Sequence, residues 1–260
     1  MSQLNSLFSY LSKCRAHSMS MGSAMASVKS AVQSLDPSLP TAECRSFVLD
    51  AIDRFAEKME FSASAIAKLC LTKINSDDTV LTYGSSELLL KVFREAKDKG
   101  RTFRVVVLDS DVSPTGLRMA TALADHNIPV TYSLYDGLSH LLPTCSKVLL
   151  SCDGITSNGS VAAAAGTSGI AMAATRANMP VLVCCETFKF SRKVIRDSLS
   201  ANERGDPSLV AAVSGISHPL LSVVNLLHDA TRSEYISAVV TESGIVPPSS
   251  VAVVLRELDQ

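Results

Sequence analysis

Residues 79–109, TVLTYGSSELLLKVFREAKDKGRTFRVVVLD, decide the fold. Thr79–Tyr83 is a short apolar run, and Gly84-Ser85-Ser86 opens a helix that the pattern carries to about Lys99. Gly100 stops that helix. Phe103–Asp109 (FRVVVLD) follows, β-branched and apolar enough for a strand buried on both faces. Strand, helix and strand in succession form a βαβ unit, whose two strands lie parallel.

The same alternation continues downstream. A helix is predicted over about Thr115–His126, closed by Asn127, then a strand at Val130–Leu134 and a short helical stretch near Leu138–Leu142. Lys147–Leu150 reads as a strand, about Ala162–Asn178 as a Gly/Ala-rich helix, and Val181–Cys185 (VLVCC) as a further strand. Asn202–Pro207 reads as a surface turn and Ser217–Leu227 as an irregular apolar stretch. Glu234–Val240 fits helix or strand, and Ile245-Val246-Pro247-Pro248 is a rigid turn into Val251–Leu255, read as the last strand. Such a series predicts an α/β fold with a Rossmann-like, doubly wound, mainly parallel sheet over residues 77–260.

Upstream of Asn75-Ser76-Asp77-Asp78 the pattern changes. Residues 1–76 read as a helical domain, with helices over 2–14 and 19–35 and, over 41–74, one long helix or two closely joined ones with Thr41 as N-cap. Val48, Ile52, Phe55 and Met59 fall on one stripe of that helix, and Asp50 and Arg54 can pair across one turn.

The composition limits the partners. The chain has 260 residues, 24 Lys+Arg against 25 Asp+Glu, and a formal charge of -1. Neither a basic excess nor a polybasic run is present, which argues against nucleic-acid and membrane-surface binding. Only 19% of residues are charged while 47% are hydrophobic, and mean hydropathy is +0.24. A membrane span does not account for this, because the best candidate, Val161–Cys185, is broken by Gly166, Arg176, Asn178 and Pro180. The N-terminus lacks the apolar run of a signal peptide. Burial against other subunits in a soluble, cytoplasmic protein is the remaining account. Seven cysteines without a C-x-x-C pair, and five histidines without ligand spacing, predict reduced thiols and no metal or cofactor.

Ligands of an open parallel sheet sit beyond the carboxyl ends of its strands. Tyr83-Gly84-Ser85-Ser86 offers amides and hydroxyls at a helix N-terminus, but it matches neither G-x-G-x-x-G nor G-x-x-x-x-G-K-[ST]; a serine-capped turn is the plainer reading. Asp109-Ser110-Asp111-Val112-Ser113-Pro114 carries two carboxylates, which suit a sugar or metal site or simply cap the next helix. Asp153–Ser160 (DGITSNGS) is placed at another strand-to-helix corner, and Glu186-Thr187-Phe188-Lys189-Phe190 follows the VLVCC strand. No G-x-S-x-G elbow occurs, and Cys184 and Cys185, inside a strand, read as inert core thiols.

Taken together, Tyr83–Ser86, Gly100–Val107 (GRTFRVVV), Ser157–Ser160 (SNGS), Val181–Phe190 (VLVCCETFKF) and Ile245–Arg256 (IVPPSSVAVVLR) resemble the regulatory-subunit family of eukaryotic translation initiation factor 2B over nearly the whole chain. VLVCCET-x-KF, the ending and Leu11–Ala16 (LSKCRA) favour its delta branch over alpha and beta. The resemblance implies a non-catalytic subunit that scaffolds a guanine-nucleotide exchange factor and senses phosphorylation of the initiation factor 2 alpha subunit. Its partners would be beta, alpha, gamma and epsilon subunits, the last two carrying the exchange activity. Pairing with beta would use the α/β domain, and the helices around 19–35 and 41–74, with Lys29 and Arg45, would contact initiation factor 2. The long N-terminal extension usual in the delta branch is not in this sequence, which suggests a truncated or short divergent form.

The same resemblance extends to isomerases of methylthioribose 1-phosphate and ribose 1,5-bisphosphate. It places Gly84 and Ser160 where those enzymes have a catalytic cysteine and aspartate, and Asp111 where they have an arginine. Hydrogen and a neutral hydroxyl cannot do the acid/base work of a thiol and a carboxylate, and a carboxylate repels a phosphate. The expectation is therefore a vestigial pocket of Gly84, Ser85, Asp111, Asn158, Gly159, Ser160 and Lys189. The alternatives are a sugar-phosphate isomerase, or a sugar-phosphate or nucleotide sensor using Ser85, Asn158 and Lys189.

Overall fold

The computed structural model describes residues 2–14, 18–36, 38–194, 202–210, 218 and 220–257. Three helices come first: α1 (Ser2–Cys14), α2 (Met19–Gln33) and α3 (Thr41–Cys70). The Ser18 hydroxyl accepts from the Met21 amide at 3.2 Å and starts α2. Thr41 is not the cap of α3; Pro40 holds that position, and Thr41 is already helical. Nor is the Val48 stripe a buried seam, since Ile52 and Met59 remain 43% and 41% exposed. α3 buries its far end instead, where Ile66, Ala67 and Cys70 join Val80, Leu89 and Phe93 in one core. Asp50 and Arg54 meet through the backbone: Arg54 Nε donates to the Asp50 carbonyl at 3.2 Å.

The chain continues as β1 (Thr79–Tyr83), α4 (Glu87–Asp98), β2 (Arg104–Asp109), α5 (Gly116–Ala124), β3 (Val130–Leu134), α6 (Leu138–Leu141) and β4 (Lys147–Ser151). Next come β5 (Gly154–Thr156), β6 (Val161–Ala164), α7 (Thr167–Arg176), β7 (Val181–Cys184) and β8 (Phe190–Ser191). The described residues end with α8 (Pro207–Val210), β9 (His228–Thr231), β10 (Ala238–Thr241), β11 (Gly244–Val246) and α9 (Val251–Glu257).

Seven strands form the main sheet in the order β11-β10-β7-β4-β1-β2-β3, parallel except for the antiparallel β10–β11 edge pair. Because side chains alternate across a strand, each central strand feeds two cores. Val105 and Val107 pack with Phe93, Met119 and Leu123, beneath α3, α4 and α5. Val106 and Leu108 pack with Leu138, Ile170, Ala174 and Val251, beneath α6, α7 and α9. That is the physical content of the apolar run FRVVVLD: past the exposed Arg104, residues 105–109 are buried on both faces of the strand.

The entry to the sheet is pinned by Asp78. Lys147 Nζ lies 2.6 Å from Asp78 Oδ2, the Asn75 amide donates to the same oxygen, and Ser146 Oγ donates to Oδ1 at 2.8 Å. Burial alone would raise this carboxyl; the hydrogen bonds and the Lys147 charge outweigh it and hold the pKa below the ordinary value.

Three sequence expectations change here. Val161–Ala164 begins no helix; it is strand β6, and α7 starts only at Thr167, after Gly166 with φ 109°. Val251–Leu255 is the first part of helix α9 rather than a last strand, with Val251 buried and Val254 and Leu255 packed on the same core. DGITSNGS is no strand-to-helix corner: Gly154–Thr156 is strand β5, and residues 157–160 turn it into β6. These strands belong to a second, four-stranded sheet, β8-β5-β6-β9, that the sequence reading missed. Predicted features within residues 195–201 and 211–217 lie outside the described residues. Among the described residues, no helix is long and apolar enough to cross a membrane.

Candidate functional site

The connections diverge at β1, with β2 and β3 on one side and β4, β7 and β10 on the other. Ligand crevices of open α/β sheets form at this point, beyond the carboxyl ends of the strands. Two adjoining cavities of about 430 and 380 Å³ lie there, sharing Tyr83, Ser110 and Ala165. Gly84, Asp109 and Leu227 also line the larger, and Asp111, Tyr135 and Asp136 the smaller. Among the described residues lining either cavity there is no lysine, arginine or histidine.

Gly84 takes φ 63° and its amide donates to the Leu108 carbonyl at 2.8 Å, which closes the β1 turn. Ser85 is half-buried, but Ser86 caps α4 by accepting from the Leu89 amide at 3.3 Å. The serine-capped turn is thus what the sequence builds at this corner. Asp109 is likewise structural. It is 1% exposed and accepts from the Ser110, Gly116 and Leu117 amides at 3.0, 2.7 and 3.2 Å and from Tyr132 Oη at 3.1 Å. It serves as the cap of α5, while Asp111 stays exposed at the cavity wall.

Asn158, Gly159 and Ser160 form the β5–β6 turn and line neither cavity. Asn158 Oδ1 accepts from Thr156 Oγ1, Ser160 is buried, and Gly159 (φ 77°) sits so close that a Cβ would lie 2.7 Å from the Pro248 carbonyl oxygen. Lys189 belongs to the turn after β7, where its Nζ lies 2.7 Å from Glu186 Oε2 and over the Phe188 ring. Burial pulls the Lys189 pKa down, but the Glu186 carboxylate overrides this and the net shift is upward. Ser85, Asn158 and Lys189 therefore line neither crevice cavity together. On the helices, the Lys29 ammonium lies over the Phe8 ring at 5.3 Å, and Arg45 is exposed near the start of α3.

The Cys184 and Cys185 thiols are deeply placed. Cys184 Sγ lies 3.5 Å from Cys70 Sγ, and that hydrogen bond, with burial, pushes the Cys184 pKa well up. Burial first of all does the same to Cys185. Neither thiol is presented as a nucleophile. No group of three metal-ligating side chains occurs among the described residues.

Three side chains to which sequence reasoning gave no role stand in or beside the crevice. Tyr83 Oη donates to the Ala165 carbonyl at 2.7 Å, and burial pushes its pKa up to about 12. Tyr135 meets the Tyr83 ring edge-on, with centroids 6.2 Å apart. Asp229, on β9, accepts from the Gly166 and Ser168 amides at 2.9 and 2.8 Å, and burial pushes its carboxyl up to about 6. In sequence, Asp229 sits in an unremarkable His228-Asp229-Ala230-Thr231 run; only the β6–β9 pairing delivers it to α7.

A raised carboxyl pKa means that the folded state binds more protons than the unfolded chain, so its contribution is largest at low pH and is lost as pH rises. Denaturant midpoints of the wild type should therefore fall relative to Asp229→Asn between about pH 4 and about pH 6.5. A constant difference across that window would contradict the assignment.

The fold and crevice define a doubly wound α/β protein whose strand-end cavity is lined, among the described residues, by turns, caps and acids. The pattern of the initiation factor 2 subunit family matches residues 1–248, and the chain belongs to that family. It is 32% identical to the translation initiation factor eIF2B subunit delta of Dictyostelium discoideum over 95% of this chain and 42% of that protein. The chain thus spans less than half the length of that relative. It is 28% identical to the ribose 1,5-bisphosphate isomerase of Pyrococcus furiosus over 81% of this chain and 65% of the enzyme. Among solved structures, the tetrameric eIF2B-beta2-delta2 complex of C. thermophilum matches with a TM-score of 0.82 and 34% identity, covering 92% of this chain and 74% of that one.

Proposed function

We propose that this chain is a delta-type, non-catalytic regulatory subunit of initiation factor 2B, acting in the cytoplasm in the exchange factor for initiation factor 2. The observation that carries this reading is the similarity to a delta subunit over 95% of the chain, together with a structural match to a complex of beta and delta subunits. The crevice supports the non-catalytic part. Gly84 offers no side chain, Ser160 is buried in a hairpin turn, and Asp109 is consumed as a helix cap. The isomerase alternative would need acid/base groups that these positions do not supply.

The proposal keeps a division into a helical part, 1–76, and a sheet part, 77–260. The sheet part would pair with a beta subunit, with alpha, gamma and epsilon subunits completing the assembly. The α2–α3 surface would meet the initiation factor 2 alpha subunit and sense its phosphorylation. A groove of about 640 Å³ runs there, with Arg54 and Lys58 as the charged side chains among its described lining. Arg45 probes that contact better than Lys29, because reversing Lys29 also removes its seat on Phe8.

Co-expression with a beta-type subunit should give one species on native mass spectrometry, and gamma- and epsilon-type chains should join it. Arg45→Glu should leave that assembly intact and weaken initiation factor 2 binding by about tenfold, the weight of one good charge-assisted contact. A lone monomer in the presence of beta would overturn the subunit reading. Unchanged factor binding by Arg45→Glu would overturn the contact.

A further inference from the structure

We propose that the groove between α3 and α4 docks a basic amphipathic helix supplied by another protein. The claim goes beyond the subunit reading and concerns a surface apart from both the crevice and the α2–α3 groove.

The groove encloses about 710 Å³ and runs along α4 from Glu87 to Asp98, with Met59 and Ala63 of α3 on its other wall. At the helical rise that stretch is about 16 Å long, three turns of an α-helix. The floor is apolar. Met59, Ala63, Leu90 and Phe188 line it, and Met59 is 41% exposed. A furrow between two packed helices takes a third by ridges into grooves, with apolar anchors at i, i+3, i+4 and i+7.

The sign of the rim selects the helix. Glu60, Glu87, Glu95 and Asp98 line the groove beside Lys91 and Arg94. Both bases are engaged within the chain: Lys91 Nζ donates to Ser64 Oγ at 2.7 Å, and Arg94 Nη2 to the Ala122 carbonyl at 3.5 Å. Two of the acids are paired as well, Glu87 with Arg118 at 3.4 Å and Asp98 with His126 at 2.8 Å. Glu60 and Glu95 form no ion pair among the described residues. Unpaired carboxylates above an apolar floor complement lysines and arginines that flank an apolar stripe.

Other occupants fit less well. The acidic rim repels a nucleic-acid backbone and anionic lipid headgroups. A second copy of this chain lacks the segment, because outside α3 and α4 no described helix carries more than one lysine or arginine. The α2–α3 groove has the opposite sign, with Arg54 and Lys58 as its charged lining, so the two sides of α3 select different partners.

The probe is a synthetic peptide of about 18 residues, long enough to hold a helix in isolation, with leucines at i, i+3, i+4 and i+7 and lysines elsewhere. A second peptide carries glutamates in place of the lysines. In fluorescence anisotropy with the chain, the lysine peptide should bind at least about tenfold more tightly than the glutamate peptide, and more weakly as salt is raised. Hydrogen exchange should slow over residues 59–63 and 87–98 on binding. Glu60→Lys/Glu95→Lys should weaken binding at least about tenfold. Glu43→Lys/Glu257→Lys makes the same charge change at two exposed positions off the groove and should weaken it less than about twofold. Should the first pair not fold by circular dichroism, Glu60→Gln/Glu95→Gln should still weaken binding by about threefold or more. Equal losses from the two reversal pairs would overturn the proposal, as would binding of neither peptide or exchange protection elsewhere. A dimer of the chain that Met59→Asp disperses would overturn it in favour of a second copy. Assembly with a beta-type subunit is measured without either peptide, so the subunit reading and this one can fail separately.

Discussion

Asp109→Ala is expected to lower the unfolding free energy by about 3 kcal/mol, with an unchanged denaturant slope, because several donors lose their acceptor at once. Three amides and a tyrosine hydroxyl converge on this carboxylate, which is 1% exposed. Removing it takes the acceptor from the first amides of α5 at a position that is 1% exposed. The approach is so close that a Cβ on Gly116 would lie 2.8 Å from the Asp109 Cγ. Asp109→Asn keeps one acceptor oxygen and should cost about half as much. Since the site assigns Asp109 a capping role, the loss should appear in urea melts of the chain. A change below about 0.5 kcal/mol, the scale of an ordinary surface substitution, would refute the cap.

Phe93→Ala should be costlier still, at roughly 4 kcal/mol, the usual range for truncating a fully buried aromatic. Phe93 is 0% exposed on α4 and packs on the Phe103 ring, with centroids 6.0 Å apart. It stands in the core that joins Ile66 and Cys70 of α3 to Val105 and Val107 of β2, so the cavity would open where the helices meet the sheet. Phe61→Ala is the matched control: the same truncation at a residue 68% exposed on α3 should cost less than about 0.5 kcal/mol. Similar losses for the two variants would mean that α3 and α4 do not share this core.

The contrast between these two phenylalanines shows where sequence reasoning worked and where it stopped. Phe93 lies in a helix with a clear apolar face, between two strands whose unbroken β-branched runs announce burial on both sides. The α3 stripe has equally good helical spacing, yet Ile52 and Met59 stay exposed while Phe55 of the same stripe packs edge-on against Phe188. Periodicity reports which side chains share a face; it does not report whether anything packs on that face.

Local propensity failed at two further places for one reason. Val161-Ala162-Ala163-Ala164 is rich in the best helix former, but pairing with β5 and β9 holds it extended. Val251–Leu255 is β-branched, but the turn at Pro248–Ser250 leads it into a helix whose Val251, Val254 and Leu255 spacing suits the core. In both stretches long-range packing outweighed preferences of well under 1 kcal/mol per residue.

The parallel sheet, its helical prelude, the serine-capped turn after the first strand and the family were legible in the sequence, because these rest on contiguous residues, whereas the aspartate loop stayed open between a ligand site and a cap. Short-range steric and hydrogen-bonding rules act within such a stretch, and a reader of the sequence can apply them. Only the tertiary structure decided what the crevice is. It moved Asn158, Gly159 and Ser160 into a hairpin, paired Lys189 with Glu186, and brought Asp229 across 61 residues onto the amides of α7. Strand register fixes such meetings, and register depends on the whole sheet rather than on any one segment.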